Sequence, residues 1–275
     1  MRITRFSLLI GAASALWLAG CQQVPVTGRS SLSLVDDKDI REKSAAAFAE
    51  TKKRHPASKN RDHIARVERV GQRLARVAFW HVPDADWEFA VFEAPNTINA
   101  FAMPGGKVGV FSGLFKIIQN DDQLASVLAH EIAHVAARHS HERMSQALLA
   151  QAGGLAIGGA LIGTGNVSNT GAAILELYGL GSDMTITAFS RDAEKEADHI
   201  GLIYMARAGY NPEEAIRVIE QLEAATAGRP KPPAWLSTHP THPERILQMI
   251  DIMPKALEAY AQSRPQAVGA TASKQ

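Results

Sequence analysis

The segment His130-Glu131-Ile132-Ala133-His134 constrains the chain more than any other feature, because it sets two imidazoles four residues apart in a stretch with helical periodicity. Residues at that spacing lie one turn apart on the same helix face, so both rings can hold a single Zn²⁺. Glu131 then lies beside the metal, where it can take a proton from bound water. The remaining ligands must be histidine, aspartate or glutamate, since the sequence has one cysteine, Cys21, which also rules out an internal disulfide. At 275 residues, 46% hydrophobic, 21% charged and with a formal net charge of +1, the chain is long and apolar enough to bury a core. It is too close to neutral for a basic nucleic-acid binder, so no nucleic-acid partner is expected.

Catalytic zinc needs a third protein ligand and an open position for water. Asn120-Asp121-Asp122-Gln123 resembles a capping box and opens the helix that carries Leu124, Val127, Leu128, Ile132 and Val135 before the histidines. A metzincin would continue with glycine at 137 and histidine at 140. The chain has Ala137 and Ser140, so that class fails, and His139 and His141 read as solvated helix residues. Glu142 reads as two turns further along the same helix, where it cannot fold back to the metal. In the helix that Ser190 opens, Glu194 and Asp198 are four apart and share a face with small Ala197 and Gly201, which permits close approach to the first helix. Glu196 points elsewhere. This assigns Glu194 as third ligand and Asp198 as the acceptor that fixes a ligand histidine's tautomer, with a surface ion pair to Arg191 or Lys195 as the alternative for Asp198.

The rest reads as one α+β, mainly helical domain over 36–262. Helices are expected at Asp39–Lys53 and at Asn60–Ala78, the latter with Ile64, Val67, Val70, Leu74 and Val77 inward. Trp87–Phe92, Ala100–Met103 and Lys107–Phe111 read as a small antiparallel sheet with a hairpin turn at Pro104-Gly105-Gly106. Gly209 ends the Ser190 helix, Asn211-Pro212-Glu213-Glu214 caps another to about Ala227, and a last helix covers Glu244 to about Tyr260 before a polar tail at 263–275. The glycine-interrupted apolar stretch Leu148–Gly181 reads as packed helices or as a membrane-surface or gating flap.

The N-terminus carries an address. Arg2 and Arg5 precede a 14-residue apolar run, Phe6–Ala19, that is too short to span a bilayer. Its end, Leu18-Ala19-Gly20-Cys21, resembles the lipobox of bacterial lipoproteins. That resemblance makes 1–20 a signal peptide and Cys21 the acylated N-terminus, and Gln22 points to outer-membrane sorting with the body in the periplasm. Several acyl chains would hold the protein to the membrane stably. Residues 22–35 read as a flexible tether reaching about 45 Å. Loss of residues 1–20 leaves 27 basic side chains against 28 acidic, so the net charge becomes −1.

The zinc helix His130–His134 and the later Glu194-Lys195-Glu196-Ala197-Asp198 resemble the HtpX-like gluzincin metallopeptidases of peptidase family M48, which includes the CAAX prenyl endopeptidases. Asn99-Ala100-Phe101-Ala102-Met103-Pro104-Gly105-Gly106 and Thr238-His239-Pro240 resemble further landmarks of that family. The resemblance implies a zincin-like domain, one Zn²⁺ per chain, peptide-bond hydrolysis with Glu131 as general base, and envelope protein quality control acting on unfolded or misassembled polypeptides. It further suggests that Asn99, Ala100, Phe101 and Ala102 form an edge strand to which substrate adds, and that His239 is a fourth ligand or an oxyanion donor. A competing reading is a lipid-anchored chaperone or assembly factor whose zinc site is structural or silenced; an intact Glu131 favours the enzyme.

Overall fold

A computed structural model describes residues 21–157, 188–225 and 232–264. The expected signal at 1–20 lies outside the described residues, as do most of the 148–181 stretch and of the polar tail.

The first described element differs from the expected tether. β1 (Cys21–Gln23) pairs antiparallel with β2 (Ser30–Leu32), with Gln22 opposite Ser31. The turn between them is closed by Val24 N–H donating to Arg29 O at 2.7 Å and Gly28 N–H to Val24 O at 2.9 Å. Val24 and Ser31 are buried. One buried valine and a set of ion pairs from Arg29 hold this ribbon, so it shows no apolar periodicity to read.

α1 (Asp37–Arg54) is capped by Asp36 and α2 (Arg61–Ala78) by Asn60, whose side chains accept backbone N–H bonds of the first turn. Val67, Val70, Leu74 and Ala78 of α2 enter the core, whereas Ile64 remains exposed. β3 (Glu88–Phe92), β4 (Ala100–Met103) and β5 (Lys107–Phe111) form a three-stranded sheet in the order β3-β5-β4. The expected hairpin joins β4 to β5, with Gly105 and Gly106 both at positive φ, where a side chain would be strained. β3, however, pairs parallel with β5, Glu88 opposite Lys107, so the sheet is mixed and not antiparallel throughout. The segment 93–106, which contains β4, is the crossover that parallel pairing requires. Both faces are covered: Ala100, Ala102, Val108 and Val110 join the main core, while Phe101, Met103 and Phe111 pack with Ile40 and Phe48 of α1. Strands buried on both faces lose the polar alternation that would reveal their pairing.

α3 (Asp121–Ala136) packs between the sheet and α5 (Arg191–Arg207). Gly201 of α5 makes the close approach possible, since a Cβ there would meet the His130 backbone nitrogen at 3.1 Å. α4 (His139–Ile157) follows α3 after a break at Arg138, which sits at φ +59°. α6 (Glu214–Ala224), the short α7 (Ala234–Thr238) and α8 (Pro243–Ser263) complete the layer, with α8 packed along α5. No helix among the described residues is long and apolar enough to cross a membrane.

The break at Arg138 also corrects the reading of His141, which is 5% exposed and not solvated. Its Nε2 lies 3.1 Å from Asp37 Oδ1 but makes no hydrogen bond, and burial, reinforced by Arg138, pushes the ring down to about 4. An unfolded histidine titrates near about 6.5. Between those values the unfolded chain binds a proton that the folded one does not, so stability falls as pH falls through that window. The contribution lost by pH 4.5 is about 2 to 3 kcal/mol. His141→Gln is expected to shrink the difference between the urea unfolding free energies at pH 7 and pH 4.5 by that amount; an unchanged difference would rule this out.

Candidate metal centre

Two helices and one loop bring the expected residues together. α3 presents His130 and His134 one turn apart, α5 presents Glu194, and the loop after α7 presents His239; all four are buried. One ligand atom from each lies within 4.8 Å of every other. His130 Nε2 is 3.1 Å from His134 Nε2, 3.4 Å from Glu194 Oε2 and 3.3 Å from His239 Nδ1. Glu194 Oε1 is 3.3 Å from His134 Nε2 and 3.0 Å from His239 Nδ1. Zinc bonds of about 2.0–2.1 Å in a tetrahedron place neighbouring donors about 3.3–3.4 Å apart. These separations are close to that edge length.

The orientation of these groups suits a metal at the centre. Asp198 Oδ1 accepts from His130 Nδ1 at 2.9 Å, which turns the Nε2 atom inward. Glu194 Oε2 is buried without a hydrogen bond: Arg245 Nη1 stands 3.0 Å away but off the bonding direction. Burial disfavours a charged His130, yet the Glu194 and Asp198 carboxylates outweigh it and raise the ring to about 9. For His134, burial dominates and holds the ring well below its ordinary range. Although burial opposes its charge, Glu194 is held well below the usual carboxylate range by the imidazoles around it. Binding a cation here displaces the His130 proton.

Around this cluster lies a ring of partners that the sequence reading largely missed. Asp198 pairs with the buried Arg245 through Nε–Oδ2 and Nη2–Oδ1 contacts of 2.7 Å, and not with Arg191 or Lys195. Lys195 instead faces Glu244 at 3.2 Å. Trp235 Nε1 donates to Glu131 Oε1 at 2.8 Å, and the Trp235 and Phe189 rings each stack with His239, at centroid distances of 4.8 and 5.4 Å. His139, read as solvated, is 3% exposed and faces His134, with 2.8 Å between their Nδ1 atoms. On a continuous helix, five residues would put it well away from His134; the left-handed Arg138 turns it back. Nothing at 138 signals this, because no glycine marks the break. Glu142 therefore lies on α4, a separate helix, and binds Arg29 at 2.9 and 3.0 Å. Glu196 points away from the metal, as read, but toward His139, Thr27 and Arg29. Burial opposes its charge, but these three hydrogen bonds lower it to about 2.

β4 stands at the end of its sheet beside α3, and Asn99, Ala100, Phe101 and Ala102 are all buried. Just before it, Ile98 O accepts from Trp235 N–H at 3.1 Å.

The profile of Peptidase family M48 matches residues 62–252, which include the zinc helix, Glu194 and His239. The chain belongs to this family. Its members are zinc metalloendopeptidases, and the buried His/His/Glu/His set fits a single zinc ion. The chain is 39% identical over 188 residues to mitochondrial metalloendopeptidase OMA1 of Saccharomyces cerevisiae, covering 66% of this chain and 52% of that protein. It is 35% identical over 182 residues to a putative β-barrel assembly-enhancing protease of Vibrio cholerae, covering 66% and 37%. Against the β-barrel assembly-enhancing protease of Yersinia pestis the identity is 37% over 152 residues, covering 55% and 31%. The chain thus spans about half the length of the OMA1 relative and about a third of the bacterial ones.

Proposed function

We propose that this chain is a zinc endopeptidase in which His130, His134 and Glu194 hold the ion, Asp198 orients His130, and Glu131 moves the protons. The set of near-tetrahedral donor separations, closed around a Glu194 oxygen with no hydrogen bond, carries the reading. Bound zinc supplies Lewis acidity, lowering the pKa of a water and polarising the scissile carbonyl. Glu131 takes the proton of the attacking water and delivers it to the leaving amine. Trp235 fixes Glu131 Oε1, the oxygen that also stands 3.3 Å from His239 Nε2. The purified chain is expected to cleave casein, and His134→Ala to lose both the zinc and the cleavage. Equal cleavage by the two would refute the proposal.

His239 fills the fourth corner, where catalysis needs water, so in this reading it restrains the resting enzyme and must leave with the α7 loop. His239→Ala is expected to keep one zinc and raise casein cleavage several-fold. If cleavage falls while zinc is retained, His239 is an oxyanion donor instead.

The proposed substrates are misfolded or unassembled envelope polypeptides laid as an extended strand along Asn99–Ala102, which is buried in this structure and becomes an open edge only when the α7 loop, bonded to Ile98 O through Trp235 N–H, moves away. Support comes from the position of β4 at the sheet end next to α3, from the sequence tolerance of backbone pairing, and from the bacterial relatives' names. In this reading residues 36–262 form the catalytic body and 263–275 a tail, while Cys21, exposed by removal of 1–20, carries the lipid that holds the body to the outer membrane, facing the periplasm. The Leu18–Cys21 pattern supports that placement.

A further inference from the structure

The ribbon that begins at Cys21 reaches the metal site through an unbroken series of polar contacts. Thr27 Oγ1 donates to Glu196 Oε1 at 2.6 Å, and Arg29 Nε donates to Glu196 Oε2 at 2.8 Å. The same carboxylate faces His139 Nε2 at 3.0 Å. His139 Nδ1 then faces His134 Nδ1 at 2.8 Å. With Glu196 a carboxylate and both rings neutral, the contacts from Glu196 through His139 to His134 fix the tautomers. Glu196 accepts from His139 Nε2–H, so the neutral His139 ring has a bare Nδ1; that nitrogen accepts from His134 Nδ1–H; His134 is left with a bare Nε2, the atom that faces His130 Nε2 and Glu194. The first helix thus has an oriented partner for each ligand imidazole: Asp198 for His130, and His139 with Glu196 behind it for His134.

We propose that His139 and Glu196 are positioning residues for the His134 imidazole, and that Thr27 and Arg29 of the N-terminal ribbon set Glu196, so that the ribbon forms part of the support of the metal centre. Partners beyond a metal's own ligands fix ring orientation and tautomer, and losing one typically costs about 10- to 100-fold in metal affinity. Arg29 is 38% exposed and reached from the ribbon turn, so it can be changed without opening the core. Arg29 also binds Glu142, so an effect of Arg29 must be shown to pass through Glu196.

The inference rests on His134 being a zinc ligand, and the test separates the two ideas. The zinc dissociation constant of the purified full chain is measured by competition with a chromogenic chelator, with circular dichroism as the check on folding. The wild type should take up one zinc and His134→Ala none; a wild type without zinc overturns both readings. His139→Phe should weaken zinc binding about 10- to 100-fold. Arg29→Ala, the milder change, should weaken it about 3- to 10-fold, with Arg29→Lys recovering most of that. In a Glu196→Gln background Arg29→Ala should change affinity less than about twofold, since its route is already cut. Zinc affinities within twofold of wild type for Arg29→Ala and for His139→Phe, or an Arg29→Ala effect equal in both backgrounds, would overturn the positioning role while leaving the zinc site standing.

Discussion

Glu131→Gln is expected to retain one zinc per chain and the native fold while lowering cleavage of casein by about 10²- to 10⁴-fold, the range for loss of a positioned general base. The substitution is close to isosteric. Glu131 is buried and its Oε1 accepts from Trp235 Nε1 at 2.8 Å, a bond that a glutamine carbonyl can also accept. His239 Nε2 stands 3.3 Å from the same oxygen. Packing and hydrogen bonding therefore survive, and what disappears is the capacity to take up a proton. Elemental analysis and cleavage assays on the same preparation check this. A variant that retains zinc and cleaves at the wild-type rate would remove Glu131 from the mechanism and restore the structural-zinc reading.

Arg245→Ala should be the most destabilising single change near the site. The guanidinium is 1% exposed, grips both Asp198 oxygens at 2.7 Å, approaches Glu194 Oε2 at 3.0 Å and donates to Pro240 O at 3.3 Å. Burial opposes the charge of Asp198, and Arg245 does most to offset it. Removing one partner of a buried ion pair leaves an uncompensated charge, at about 3 to 5 kcal/mol. For a protein of this size, that lowers the thermal midpoint by about 10 °C. Arg245→Lys should recover only part, because an ammonium cannot reproduce the two-pronged grip. An Arg245→Ala midpoint within about 2 °C of wild type would show that Asp198 finds another partner.

Legibility in the sequence divides along physical lines. The pairs His130/His134 and Glu194/Asp198 are readable because helix periodicity alone places residues four apart on one face, and Gly201 marks the close approach of the two helices. Caps at Asn60, Asn120 and Ser190 are readable for the same local reason. Contacts fixed by tertiary structure leave no such trace. Arg245 and Trp235 lie 47 and 104 residues from the partners they hold. His139 and Glu196 meet only because an arginine adopts a left-handed conformation at 138, held by its pairing with Asp37. The parallel pairing of β3 with β5 is likewise a choice among edges that strand patterning does not encode. The ribbon at 21–32 replaced an expected tether because ion pairs from Arg29, distant in sequence, hold it down.

The central claim is that one zinc ion sits among His130, His134 and Glu194. Anomalous diffraction at the zinc absorption edge from crystals of the purified chain tests it directly. The account predicts a single peak about 2.0–2.2 Å from His130 Nε2, His134 Nε2 and a Glu194 oxygen. No peak there in a preparation that cleaves casein, or a peak bound elsewhere on the chain, would contradict it.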